Sequence, residues 1–227
     1  MDGTLLPMDL AVFIKTYFSM LLRYLASHGY QVEKASDALQ KGIAAMMGND
    51  GTKTNESAFW QAFKGTYGAL SEDDIAFFEE FYHTEFQKLR DICGYDPRAA
   101  QCVCAAKDIA EKVILATSPL FPRTATEQRV GWSGCAATDF DYSTTFENAS
   151  YSKPSLAYYQ QILDRMGLLP DECLMVGNDV EDDMVAAELG IRVFLLTPYL
   201  INKNNKPIDA FPHGDFDSLL RFLSSMR

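Results

Sequence analysis

Clustered positive charge is the first thing this sequence lacks. Lys and Arg number 20 against 31 Asp and Glu, a formal net charge of −11. That argues against nucleic acid and anionic membranes as partners, because both select for grouped Lys and Arg. A phosphate substrate stays open, since a bound divalent cation reverses the local sign. CxxC pairs and Cys/His metal spacings are missing too. The five cysteines, Cys93, Cys102, Cys104, Cys135 and Cys173, are odd in number and follow no secretory leader. They fit reduced thiols in the cytoplasm, several of them packed as small hydrophobes. No apolar run reads as long enough to span a bilayer. The Asn-x-Ser triplets at Asn55 and Asn148 are therefore read as chance matches. Repeats and low-complexity segments are absent as well.

What is there divides into two grammars. From Pro7 to about residue 95 the pattern is helical throughout. Phe13, Tyr17, Leu21 and Tyr24 recur at helical spacing, and His28-Gly29 ends the first helix. A second helix is expected from Val32 to Met47, closed by Gly48-Asn49-Asp50-Gly51. A third covers Glu56 to Tyr67. A fourth opens at Ser71, with Asp74 at a capping-box spacing, and lines Ile75, Phe78, Tyr82, Phe86 and Leu89 along one face. These four read as a helical bundle whose aromatic stripes are its core rather than a ligand pocket. His83, a lone histidine without a partner, reads as surface or packing.

From Pro97 strands alternate with helices. Helical stretches are expected at Arg98–Glu111, Arg123–Val130, Ser155–Met166 (stopped by Gly167), before Gly190, and at Asp215–Met226. Short apolar strands are expected at Lys112–Ala116, Tyr142–Phe146, Cys173–Val176 and Arg192–Leu196. That alternation predicts an α/β fold, a parallel sheet covered on both faces. Open parallel sheets bind ligands beyond the carboxyl ends of their strands. Asp2, Thr117 and the acids Asp179, Glu181, Asp182 and Asp183 lie at such ends, and Lys153 sits in a loop within reach of them.

In that order the polar groups resemble the four motifs of the haloacid dehalogenase-like (HAD) phosphohydrolases. Met1-Asp2-Gly3-Thr4 matches the back of D-x-D-G-T; then come a strand ending in Thr117-Ser118, Lys153, and Gly177-Asn178-Asp179. The resemblance spans essentially the whole chain. It implies a three-layer Rossmann-like core, residues 1–7 plus 96–227, with an all-helical cap at 8–95. It also implies a Mg2+-dependent phosphomonoesterase acting on a small phosphorylated metabolite through an aspartyl-phosphate.

The roles it assigns are chemically coherent. Asp2 protonates the leaving oxygen and offers its carbonyl to Mg2+. Thr117 and Lys153, with Gly3 and Ser118, hold the phosphate and the charge that builds in the transition state. Asp179 and Asp183 complete the metal site, because a hard cation favours oxygen donors. The primary ligand aligns with either Asn178 or Asp179. Asp179 is taken because a carboxylate binds Mg2+ better than an amide; Asp182 is the reserve for Asp183. Each residue has a plainer reading alone, as helix cap, turn or solvated lysine. The ordered set favours the site.

The family's nucleophilic Asp would stand one position before Met1, at the end of a central strand. The expectation is that the natural protein continues upstream, and that the chain as it stands has negligible phosphatase activity. Omitting that strand would leave unpaired backbone groups on both of its neighbours. The rival readings are a truncated or degenerate binding protein, a phosphomutase, and a 2-haloacid dehalogenase. Asp2 argues against the last, since a halide needs no acid to leave. The sequence does not specify substrate identity or oligomeric state.

Overall fold

The computed structural model describes residues 1–226; the side chains of residues 72–74, and with them the expected Ser71–Asp74 capping pair, lie outside the described residues. Four helices come first: α1 (Leu10–Ser27), α2 (Val32–Met47), α3 (Asn55–Tyr67) and α4 (Glu72–His83). The Asp9 carboxylate caps α1 by accepting from Val12 N–H, and Thr54 caps α3 by accepting from Ser57 N–H. These bonds satisfy N–H groups that a helix start cannot satisfy by itself. The buried stripe of α1 is Phe13, Tyr17, Leu21 and Leu25. Leu25 takes the place expected for Tyr24, which is only partly buried. Gly42 lets α2 and α3 close on each other, since a Cβ there would lie 2.5 Å from the Phe59 ring.

The expected fourth helix is broken. It ends at His83, and a 3-10 turn over Phe86–Ile92 carries Phe86 and Leu89 inward. Phe86 thereby meets six rings, Phe13, Tyr17, Phe81, Tyr82, Phe121 and Trp132. Two of these belong to the later part of the chain, and the same core takes in Leu6 and Ala125. The helices thus share an interior with the α/β region rather than enclosing one of their own. By length and composition α1 would suffice to cross a membrane, which corrects the reading that no run is long enough. Its apolar stripe is packed inside this core.

Next come α5 (Pro97–Lys107), β1 (Ile114–Leu115), α6 (Arg123–Trp132), β2 (Tyr142–Ser143), α7 (Leu156–Met166), β3 (Leu174–Gly177), β4 (Arg192–Leu196), β5 (His213–Gly214) and α8 (Phe216–Ser224). The segment before Gly190 is a 3-10 helix, Met184–Leu189. All strand pairings are parallel, as the alternation requires, but they fall into two sheets, β1-β2 and β3-β4-β5. The parallel pairing is as expected, and the strands divide into these two groups. Between β1 and β3 runs a cavity of about 720 Å³, lined on one side by Leu115 and Ala116, on the other by Met175 and Val176, with Met1 and Leu5 at one end. Among the described residues β1 pairs with β2 alone and β3 with β4 alone. The facing edges therefore have no strand partner among the described residues. With support on one side only, β1 and β2 shrink to two residues each.

Candidate active site

At the end of β3 the chain turns through Asn178–Asp183, and one carboxylate organises the turn. Asp183 Oδ2 accepts from the N–H groups of Asn178 (2.9 Å) and Asp179 (3.0 Å). Gly177 makes room for it, as a Cβ there would meet that oxygen at 2.1 Å. The other oxygen, Oδ1, pairs with Lys153 Nζ at 2.5 Å; both side chains are nearly buried. Burial alone would raise the Asp183 pKa. The Lys153 ammonium and its hydrogen bond, the amino terminus and the backbone N–H of Asp179 outweigh that and hold it below the usual carboxylate range.

Thr117 follows β1 and is buried. Its carbonyl accepts from Thr144 Oγ1 (2.6 Å) and from the Tyr158 hydroxyl (2.8 Å). The Tyr158 ring lies 5.7 Å from Lys153 Nζ, so one side chain of α7 links Thr117 to the Lys153–Asp183 pair. Ser118 continues into the turn before Pro119, with its carbonyl accepting from Leu120 N–H.

Residues 1–6 form a tight turn in which the N–H groups of Thr4, Leu5 and Leu6 all donate to the Met1 carbonyl. Gly3, at φ +73°, supplies a backbone conformation that other residues rarely adopt. It also allows close approach, since a Cβ there would lie 2.4 Å from Asn178 Nδ2. Thr4 Oγ1 donates to Asn178 Oδ1 (2.8 Å), and Asn178 Nδ2 donates to the Tyr199 carbonyl (2.7 Å). The amino-terminal turn is thereby docked on the loop after β3. Burial pushes the Met1 amine down to about 6; Asp2 and Asp183 oppose the shift, and Lys153 and Arg129 add to it.

Asp2 is placed differently from its neighbours. Its Oδ2 pairs with Arg129 Nη1 at 2.5 Å, while Oδ1 is buried with no hydrogen-bond partner among the described residues. Arg129 is almost fully buried, donates from Nε to the Ala125 carbonyl, and stacks 4.2 Å from the centre of the Phe121 ring. The site thus brings Thr117, Lys153, Asp183, Asn178 and the start of the chain together, with the Asp2 carboxylate engaged by Arg129.

A Mg2+ ion needs oxygen donors that are not already committed to hydrogen bonds. Asp183 has both oxygens committed. Asn178 spends its amide on Thr4 and Tyr199, which leaves Asp179 as the better-placed carboxylate. Asp179 Oδ1 accepts from Glu181 and Asp182 N–H. Burial raises the pKa of Asp179, with Asp183 adding to it. Burial also raises Asp182, with the Asp179 and Asp183 carboxylates adding to it. A local surplus of buried negative charge and hard oxygen donors suits a small divalent cation. Among the described residues no group of three or more His, Cys, Asp or Glu side chains forms a cage for one.

Reading the sequence missed Tyr158, Arg129 and Asn55. Tyr158 looked like one more aromatic on an apolar helix face, and a lone Arg on α6 carries no signal. Asn55 stood only in a glycosylation-like triplet, yet it is fully buried. His83 is exposed, as expected.

The model of the haloacid dehalogenase-like hydrolases matches residues 1–190. The chain belongs to that family. Among solved structures, a HAD phosphatase from Thermococcus onnurineus aligns over 98% of this hydrolase and 94% of its own length, at 16% identity and a TM-score of 0.56. The L-2-haloacid dehalogenase of Xanthobacter autotrophicus aligns over 93% and 87%, at 15% identity and a TM-score of 0.52. A predicted phosphoglycolate phosphatase from Haemophilus somnus aligns over 84% and 92%, at 17% identity and a TM-score of 0.50. At such identities the likeness is one of fold. No curated protein matches the sequence significantly.

Proposed function

We propose that this HAD-like hydrolase is a Mg2+-dependent phosphomonoesterase acting on a small phosphorylated metabolite, with α1–α4 as its cap. The observation that carries this reading is the buried Lys153–Asp183 pair joined through Tyr158 to Thr117 at the carboxyl ends of parallel strands. A fixed ammonium and a hydroxyl at such a place bind and orient three equatorial phosphoryl oxygens. Asp183 holds Lys153 in position, Ser118 follows Thr117 along the chain, and Gly3 packs against the Asn178 side chain.

The nucleophile is assigned to an Asp preceding Met1, beside the amino-terminal turn that Thr4 docks on Asn178. Its carboxylate oxygen forms a bond to phosphorus as the ester P–O bond breaks, and the Asp2 carboxyl gives its proton to the departing oxygen. Water, giving a proton back to Asp2, then attacks phosphorus; the acyl-phosphate P–O bond breaks, which restores the nucleophile's carboxylate and releases inorganic phosphate. Asp2 must exchange its Arg129 contact for the leaving group during this cycle. Asp179 and the Asp2 carbonyl would hold Mg2+, which would neutralise phosphate charge. Five free cysteines support a reducing, cytoplasmic setting, and the net charge of −11 speaks against nucleic acid or membrane partners.

The test is hydrolysis of p-nitrophenyl phosphate, with and without EDTA, by this chain and by one extended upstream with Asp before Met1. Mg2+-dependent turnover in the extended form only is the expected result. Turnover in neither form would favour a binding protein instead.

A further inference from the structure

The two residues assigned to phosphate, Thr117 and Lys153, lie on loops from different strands, and both loops end on the same side chain. Asn55 opens α3 and is completely buried. Its Nδ2 donates to the Pro119 carbonyl (3.1 Å), to Ser152 Oγ (3.2 Å) and, at longer range, to the Tyr151 carbonyl (3.4 Å). Pro119 stands two residues after Thr117; Ser152 stands one before Lys153. The plane of the amide is set from the other end, where Asn49 Nδ2 donates to Asn55 Oδ1 (2.8 Å). Two N–H groups in the first turn of α3 add to the joint: Asn55 donates to the Ala149 carbonyl and Glu56 to the Phe146 carbonyl. Ser152 Oγ in turn donates to the Met46 carbonyl at the end of α2. Gly51 closes the same seam, with no room for a Cβ against the Tyr151 hydroxyl.

We infer that Asn55 is a positioning residue through which the helical segment fixes the Thr117 and Lys153 loops relative to each other. Only an amide meets the demand at this spot. One nitrogen must supply two hydrogens to oxygens on separate loops, while the oxygen on the same rigid plane accepts from Asn49. A carboxylate of the same shape would face those oxygens without a hydrogen to give, and an alkyl group would leave buried carbonyls unpaired. The roles of Thr117 and Lys153 rest on the phosphatase reading; the mechanical coupling of their loops does not.

The experiment compares the full chain with its Asn55→Asp variant by hydrogen exchange and by titration with inorganic phosphate in Mg2+. Backbone exchange in 117–121 and 150–154 should accelerate together, by roughly tenfold or more, the scale of one lost buried hydrogen bond. Phosphate affinity should fall by a similar factor, while α8 keeps its protection. Ser152→Ala should loosen 150–154 alone. Should Asn55→Asp fail to fold, Asn49→Ala, which frees the amide plane, should loosen both loops to a smaller degree. A variant that melts earlier with both loops still protected, or with unchanged phosphate affinity, would overturn the assignment. Absence of phosphate binding by the parent chain would instead count against the phosphatase reading, and the exchange pattern alone would then decide the role of Asn55.

Discussion

The core shared by α1–α4 is built mostly of apolar and aromatic side chains, whereas beyond the strand ends, at the candidate site, the decisive contacts are polar and few. Phe86 alone touches six rings from both halves of the molecule. On the other side, β1 and β3 face each other across a cavity, and the residues beyond their ends are tied by Asp183, Tyr158 and Asn178. A close-packed interior spreads its cohesion over many small contacts, whereas a polar net concentrates it in single groups. The two regions should therefore fail in different ways.

The largest loss is expected at the aromatic centre. Phe86→Ala should cost ~3–5 kcal/mol in denaturant-induced unfolding, the range for removing a large buried ring. Lys153→Met should cost about 3 kcal/mol, because it leaves the Asp183 carboxylate buried without its counter-charge. Equal losses for Phe86→Ala and an exposed control such as Leu10→Ala would refute the account of the core.

Packing offers a sharper contrast. Ala38 is fully buried among the helices, so Ala38→Leu should cost ~1–3 kcal/mol by overfilling the site. Ala106 lines the cavity beside β1, and Ala106→Leu should change stability by less than about 0.5 kcal/mol. If both substitutions cost the same, the cavity is not open space.

The smallest effect is in the pH dependence, and its sign separates neighbouring carboxylates. Asp183 has a depressed pKa, so its contribution is present above the ordinary value near 3.8 and is lost as pH falls through the folded value. Asp179 and Asp182 are raised, so their contribution is complete below about 3.8 and is lost as pH climbs through their elevated values. Between pH 4 and 7 Asp179→Asn should therefore flatten the decline in stability, whereas Asp183→Asn should lower stability across that range. Matching pH profiles for the two variants would contradict the assigned environments.

How far the sequence led can be followed residue by residue. The bounds of α2 and β4 agree with the pattern, because caps, turn residues and a continuous apolar run are local signals. The break between α4 and the turn at Phe86 was hidden, since the aromatic stripe continues across it and only tertiary contact bends the chain. Lengths of β1 and β2 were overestimated because an apolar run states what wants burial, not whether a neighbouring strand is present to pair with it. Thr117, Lys153 and Asp183 were legible as an ordered set. The ties that assemble them, Tyr158 to Thr117, Asn55 to Pro119 and Thr4 to Asn178, were not, since hydrogen bonds between residues 41, 64 and 174 positions apart leave no spacing to read.

Titration of the 227-residue chain with inorganic phosphate in the presence of Mg2+, followed by calorimetry, tests the central claim most directly. One phosphate per chain, lost on adding EDTA and lost in Lys153→Met, is the predicted result. Binding that survives Lys153→Met, or no binding at all, would contradict a phosphate site at the carboxyl ends of β1 and β3.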